Sequence, residues 1–109
     1  MRVLLDECVP RRLARAFGPD RAVATVTGLG WSGTKNSELV RRATAAGFEV
    51  LVTVDVGLRV AADAPLGVLV LRAGSTRLDA LLPLMPSVLE HLSTLPPGRT
   101  ELIATRPPA

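Results

Sequence analysis

Two apolar segments of the chain each stop at an acidic residue. Residues 2–5 lead into Asp6 and Glu7, and residues 50–54 lead into Asp55. In a parallel sheet, such acids lie at the carboxyl ends of strands, where open α/β sheets build their binding sites. Two carboxylates brought together there suit a hard divalent cation, Mg²⁺ or Mn²⁺, which activates water and neutralises charge on a phosphodiester. Alternatively, both aspartates cap the helices or turns that follow them, and the spacing alone leaves both interpretations open.

Two neighbours of these acids extend the candidate site. Glu7 points away from Asp6 if the strand continues, but it reaches the same place if the chain turns there. Thr53 lies two residues before Asp55, so the two side chains face the same side of an extended strand. The Thr53 hydroxyl is then either a ligand for water or phosphate or an ordinary strand threonine.

A second polar group opens a predicted helix. Asn36 or Ser37 is expected as its N-cap, and Glu38 lies in the first turn, where the helix dipole favours a carboxylate. Lys35, the only lysine, follows a loop with three glycines. It could meet a phosphate from that loop, although most such lysines are only solvated.

Arginine dominates the basic residues of the chain. The net charge is +3, and all but one of the 13 basic residues are arginines, with clusters at Arg11, Arg12 and Arg15 and at Arg41 and Arg42. The guanidinium fork suits phosphate contact, yet the same residues also suit a solvated helix face. With one Trp and two Phe, a base-stacking platform for single strands is not expected.

Composition indicates one folded domain spanning residues 1–109. The chain is 48% hydrophobic, which is enough for a core of its own. No apolar run approaches the ~20 residues of a membrane span, and no secretory signal is evident. The lone Cys8 is predicted to be a packing residue, and a single Cys with a single His argues against a zinc site. A cytoplasmic location is therefore expected.

Apolar periodicity predicts alternating strands and helices. Strands are expected over residues 2–5, 21–26, 48–54 and 66–71, with a final edge strand over 100–104. Helices are expected over 10–17 and 36–46, with a short helical turn over 57–62. The long stripe over 78–92 contains Pro83 and Pro86, which predict a kink or two shorter helices. Residues 106–109 are expected to be a frayed tail. The alternation predicts an α/β fold with a mostly parallel sheet covered on both faces.

Three segments of the chain resemble a known family. Residues 4–10 (LLDECVP), 28–36 (GLGWSGTKN) and 51–55 (LVTVD) are similar to small bacterial PIN-like proteins, described for a long time as a domain of unknown function and related to the VapC-type toxins. The resemblance covers residues 2–95. It implies a three-layer α/β/α sandwich and a metal-dependent endoribonuclease, expected to be the toxin of a toxin–antitoxin pair.

The resemblance also implies roles for particular residues. Asp6 and Asp55 match the family aspartates that hold Mg²⁺ or Mn²⁺ and act in catalysis. Glu38 is a candidate third catalytic acid and Glu7 a candidate metal ligand. Expected contacts to the RNA phosphates are Lys35, Asn36, Thr53 and Arg11. The implied partners are RNA, a cognate antitoxin and a second copy of the chain, with no membrane.

Differences from the family pattern leave two further interpretations open. Asn36 stands where the family has an acid, Gly57 stands where many relatives have a second aspartate, and residues 22–34 contain no acid. One alternative is therefore a PIN-like module that binds RNA or a protein without cleavage. The other is a receiver-type phosphoacceptor with its acidic pair after the first strand and Asp55 as acceptor. That class needs a lysine late in the chain, whereas Lys35 precedes Asp55.

Overall fold

A computed structural model describes residues 1–58 and 60–104, and it is built around one five-stranded sheet. The strands are β1 (Arg2–Leu5), β2 (Ala22–Thr25), β3 (Val50–Thr53), β4 (Gly67–Arg72) and β5 (Thr100–Ala104). Their order across the sheet is β2-β1-β3-β4-β5, and every neighbouring pair is parallel. The predicted α/β fold with a parallel sheet is confirmed.

Helices cover both faces of this sheet, which makes three layers. On one face lie a 3₁₀-helix (Arg11–Phe17), helix α2 (Leu78–Leu81), a second 3₁₀-helix (Leu82–Leu84) and helix α3 (Met85–Leu92); helix α1 (Asn36–Ala45) lies on the other face. Successive β1 side chains alternate between the faces, so Val3 and Leu5 pack with the first group and Leu4 packs with α1. Each face therefore has its own apolar core.

Most of the predicted elements are present. Pro83 and Pro86 divide the long apolar stripe into α2, the second 3₁₀-helix and α3, as their missing N–H groups require. The expected helical turn over 57–62 is wrong: the described residues there form isolated turns, because the Asp55 carboxylate accepts the Gly57 N–H and closes the first turn locally. The expected tail over 106–109 lies outside the described residues.

The end of α1 is fixed by contacts from β1. Gly47 follows the helix with a φ of +82°, a conformation that glycine adopts without steric cost. The Arg2 guanidinium donates to the Ala46 carbonyl and lies 4.6 Å from the centre of the Phe48 ring. A cation at this end also opposes the negative pole of the helix dipole. These contacts hold α1, and hence Asn36 at its other end, against the sheet.

Within the part of the chain that the structure describes, no helix is long and apolar enough to span a bilayer.

Candidate functional site

The strand order brings the two acidic strand ends side by side. β2 and β3 lie on opposite sides of β1, so the order of the strands reverses direction at β1. In the β1–β3 pair, Leu5 is in register with Val52. In doubly wound sheets of this order, that position opens a crevice at the carboxyl ends of the strands. Asp6 follows β1 directly and donates its backbone N–H to the Val52 carbonyl at 2.9 Å. Asp55 follows β3 after one intervening residue.

One buried hydroxyl links the two aspartates. Thr53 Oγ1 donates to Asp6 Oδ2 at 2.7 Å, and the Asp55 backbone N–H donates to the same hydroxyl oxygen at 3.1 Å. Thr53 is 0% exposed and Asp6 is 7% exposed, whereas most of the interior is apolar. The structure therefore brings together three of the residues predicted from the sequence. The Thr53 hydroxyl is used internally, so it supports Asp6 instead of reaching a substrate.

Asp6 has two further donors from the turn that follows β1. The Glu7 backbone N–H donates to Asp6 Oδ1 at 2.8 Å, and the Cys8 Sγ lies 3.7 Å from Asp6 Oδ2. These donors compensate the Asp6 carboxylate for the water that it loses on burial. Each of its oxygens retains acceptor capacity beyond these bonds.

Cys8 differs from its prediction. The residue is exposed, so the prediction of a packing residue is wrong. Its sulfur nevertheless lies against the site, where burial raises the pKa of the thiol and the neighbouring Asp6 charge raises it further. A hydrogen bond with the Val54 backbone acts in the opposite direction. A raised pKa keeps the thiol protonated, which makes it a poor nucleophile.

Asp55 is held by a different set of contacts. Asn36 Nδ2 donates to Asp55 Oδ2 at 2.7 Å, and the Gly57 N–H donates to Asp55 Oδ1 at 2.9 Å. Asp55 thus closes a turn, as the capping interpretation expected, while Asp6 does not follow that pattern. The N-cap prediction for Asn36 or Ser37 is wrong, because α1 begins after Lys35 with no side-chain cap. The Asn36 amide instead joins α1 to the acidic strand end.

A cleft of about 490 Å³ opens beside Asp6. Arg11, predicted to contact phosphate, lines it together with Glu7, whose carboxylate accepts the Gly33 N–H at 3.2 Å. Glu7 reaches the cleft because the chain turns directly after β1. Three threonines that the sequence analysis missed also line the cleft: Thr25, Thr27 and Thr76. Thr25 could have been found by extending the strand-end rule from acids to hydroxyls, since it ends β2.

Two of the predicted residues lie in a second cleft. Lys35 and Glu38 line a neighbouring depression with Arg41 and Arg42. The Glu38 carboxylate pairs with both arginines, and its contact with Arg42 Nε is 3.3 Å. Glu38 therefore lies with the cations and not with the Asp6 carboxylate.

The donor chemistry at the strand ends fits a hard cation that keeps most of its water. Among residues 1–58 and 60–104, no three His, Cys, Asp or Glu side chains are grouped to hold a metal ion. Mg²⁺, however, is commonly held by one or two carboxylates together with substrate phosphates, and not by a complete protein cage. Asp6 and Asp55 are the two carboxylates that the Thr53 hydroxyl links at these strand ends. Comparison of the chain with protein-family models, curated proteins and solved structures found no match.

Proposed function

We propose that this protein is a metal-dependent endoribonuclease of the PIN-like type, acting in the cytoplasm as the toxin of a toxin–antitoxin pair. The observation that carries the proposal is the pair of aspartates at the β1 and β3 ends, joined through the Thr53 hydroxyl beside a cleft that contains Arg11. The site lies where doubly wound sheets place their ligands. The PIN-like resemblance of residues 4–10, 28–36 and 51–55 supplies the reaction class.

Each residue has a physical task in this proposal. Asp6 and Asp55 would hold Mg²⁺ or Mn²⁺, which lowers the pKa of a bound water and neutralises charge on the phosphodiester. Thr53 fixes the orientation of Asp6 from within the core, and Asn36 fixes that of Asp55. Arg11 offers a guanidinium to the phosphate oxygens in the same cleft.

The test compares matched aspartate variants. Asp6→Asn keeps the side-chain shape and removes the charge, so we expect RNA cleavage in Mg²⁺ or Mn²⁺ to fall at least ~100-fold, beyond the 10–100-fold typical of outer-shell changes. Asp79→Asn removes a carboxylate that is 78% exposed on α2, so we expect wild-type cleavage. Equal cleavage by wild type and Asp6→Asn contradicts the proposal.

Calorimetry separates this function from the PIN-like binding module. The nuclease proposal expects Mn²⁺ binding by wild type and weaker binding by Asp6→Asn. No binding at millimolar metal favours a module that binds RNA or a protein without cleavage.

The strand order also favours a second candidate, a receiver-type phosphoacceptor. The order β2-β1-β3-β4-β5 is shared by that class of doubly wound fold, and Asp55 is partly exposed at the β3 end. The only lysine, Lys35, lies beside α1 instead of late in the chain, which weakens this candidate. Incubation with acetyl phosphate tests it: a phosphoryl mass gain at Asp55 supports it, and no gain contradicts it.

A further inference from the structure

The cleft that contains Lys35 has the composition of an anion site. It has a volume of about 540 Å³ and lies against the loop and the first turns of α1. Three cations and one carboxylate line it, which leaves an excess of two positive charges. Hydroxyl groups complete the lining. The residues that carry the argument are Lys35, Arg41, Arg42, Glu38, Thr34 and Ser37.

Arg41 and Arg42 are held in place by other side chains, whereas the Lys35 ammonium has no described partner. Glu38 pairs with both Arg41 and Arg42, and Arg42 Nη1 also donates to Thr34 Oγ1 at 3.3 Å. These bonds fix the two guanidinium groups on the same side of α1 and leave further N–H donors on each fork. Lys35 is exposed, and its ammonium forms no hydrogen bond or ion pair with any described residue. Its ammonium is therefore available to a ligand.

The same short segment of chain borders this basic cleft and the acidic strand ends. Gly33 lines the basic cleft and donates its N–H to Glu7, which lines the Asp6 cleft. Asn36, next to Lys35, donates to Asp55. A ligand that leaves the acidic site across residues 33–36 therefore enters the basic cleft directly.

We propose that the basic cleft binds the backbone phosphates of a single RNA strand on one side of the phosphodiester at Asp6 and Asp55. This inference rests on the proposed nuclease function, and it identifies the substrate as a single strand that spans both clefts. Recognition is through the backbone, because Trp31 packs edge-on against Phe48 with ring centres 6.3 Å apart. Stacking of bases on aromatic rings is then a minor contribution, and sequence preference is weak.

The test measures binding in the absence of metal, so that it does not depend on cleavage. A fluorescent 2′-O-methyl RNA oligonucleotide is titrated with protein in EDTA, over a series of salt concentrations. The variant Lys35→Ala/Arg41→Ala removes two exposed cations of the cleft. The matched control Arg15→Ala/Arg99→Ala removes two exposed cations that line neither this cleft nor the Asp6 cleft.

We expect the cleft variant to bind about tenfold more weakly than the control. We also expect its log–log salt slope to be smaller by about 1.4, at about 0.7 for each phosphate contact of a single strand. Equal affinities and slopes for the two variants overturn the inference, as does an oligonucleotide that does not bind wild type. If inorganic phosphate alone binds wild type as tightly as the oligonucleotide does, the cleft is a free-anion site and the RNA strand is excluded.

Failure of the phosphate-cleft proposal can be told apart from failure of the nuclease proposal. Loss of oligonucleotide binding in the cleft variant, with no RNA cleavage by wild type in Mn²⁺, supports the phosphate cleft and contradicts the nuclease. Cleavage by wild type, with equal binding and equal cleavage by the two double variants, supports the nuclease and overturns the phosphate cleft.

Discussion

Asp6 and Asp55 end two neighbouring strands, yet their carboxylates are held in different ways. Asp6 is buried, and its tightest side-chain partner is Thr53, which comes from another strand. Asp55 is partly exposed and is held by the nearby Gly57 N–H and by the Asn36 amide of α1. The difference shows that a similar sequence pattern, an apolar run followed by an acid, can produce a carboxylate fixed by the core and another fixed by a turn. The first is tied to the stability of the fold, and the second is open to adjustment.

The largest expected effect comes from truncating the two acids in turn. Asp6→Ala leaves the fully buried Thr53 hydroxyl without its acceptor, so we expect a loss of about 1–3 kcal/mol in the free energy of unfolding. Asp55→Ala removes a turn cap and should cost about 1 kcal/mol. Urea denaturation of both variants measures the difference, with Asp79→Ala as an exposed control. A larger loss for Asp55→Ala reverses the comparison.

Thr53 variants test the hydrogen bonds that link the two acids, with a somewhat smaller expected loss in the free energy of unfolding. Thr53→Val keeps the volume but removes the donor to Asp6 and the acceptor for the Asp55 N–H, and we expect a loss of about 1–2 kcal/mol. In the nuclease proposal, Mn²⁺ affinity also falls about 10–100-fold, because an outer-shell partner is lost. Thr53→Ser keeps the hydroxyl and should retain the affinity. Wild-type Mn²⁺ affinity in Thr53→Val together with weaker affinity in Thr53→Ser contradicts this role, because the methyl group would then matter and the hydrogen bonds would not.

A substitution at Asn36 tests whether a cation binds beside Asp55, the more exposed of the two carboxylates. Asn36→Asp replaces the amide that donates to Asp55 with a carboxylate, so we expect the protein without metal to be destabilised by repulsion between like charges. With Mn²⁺ the third carboxylate should raise affinity about tenfold, since ligand charge sets affinity at such sites. Calorimetry of wild type, Asn36→Asp and Asn36→Ala measures this. Unchanged or weaker affinity in Asn36→Asp contradicts a cation beside Asp55.

The smallest expected effect concerns the thiol beside Asp6. Burial and the Asp6 charge raise the pKa of Cys8 in the folded protein, so its alkylation in EDTA should rise at a higher pH than in the urea-unfolded chain. Because the folded protein holds this proton more tightly, the protonated thiol contributes its full share to the free energy of unfolding below the ordinary thiol pKa. That contribution is lost as the pH rises through the raised pKa of Cys8 in the folded protein. Mass spectrometry across a pH series measures alkylation, and equal midpoints in the folded and unfolded protein contradict the assigned environment.

The sequence predicted the elements better than the contacts between them. All five strands were expected because each is a short apolar run, and the interruption near Pro83 and Pro86 followed from proline chemistry. The placement of Asp6 and Asp55 at adjacent strand ends followed from the rule for parallel strand ends. These features depend on local composition or on a general property of sheets.

The missed contacts depend on how loops return to the sheet. Thr76 enters the Asp6 cleft from the loop after β4, and Asn36 turns its amide toward Asp55 instead of capping α1. Glu38 pairs with arginines on its own helix. The i+3 and i+4 spacing of Arg41 and Arg42 from Glu38 does encode that pairing on a helix. No periodicity or spacing encodes the directions of Thr76 and Asn36, because they are set by loop paths and by competition among nearby hydrogen-bond donors and acceptors.

The Thr53–Asp6 hydrogen bond has a consequence for the nascent chain. It joins residues 47 positions apart, so it forms only after β3 has been synthesised and has paired with β1. Contacts of such long sequence separation tend to form late in folding. A nascent chain that has not yet reached Val50 contains Asp6 but not Asp55. Every N-terminal fragment that ends before Asp55 therefore lacks the acidic site, which can assemble once β3 has paired with β1 and before β4 and β5 are synthesised.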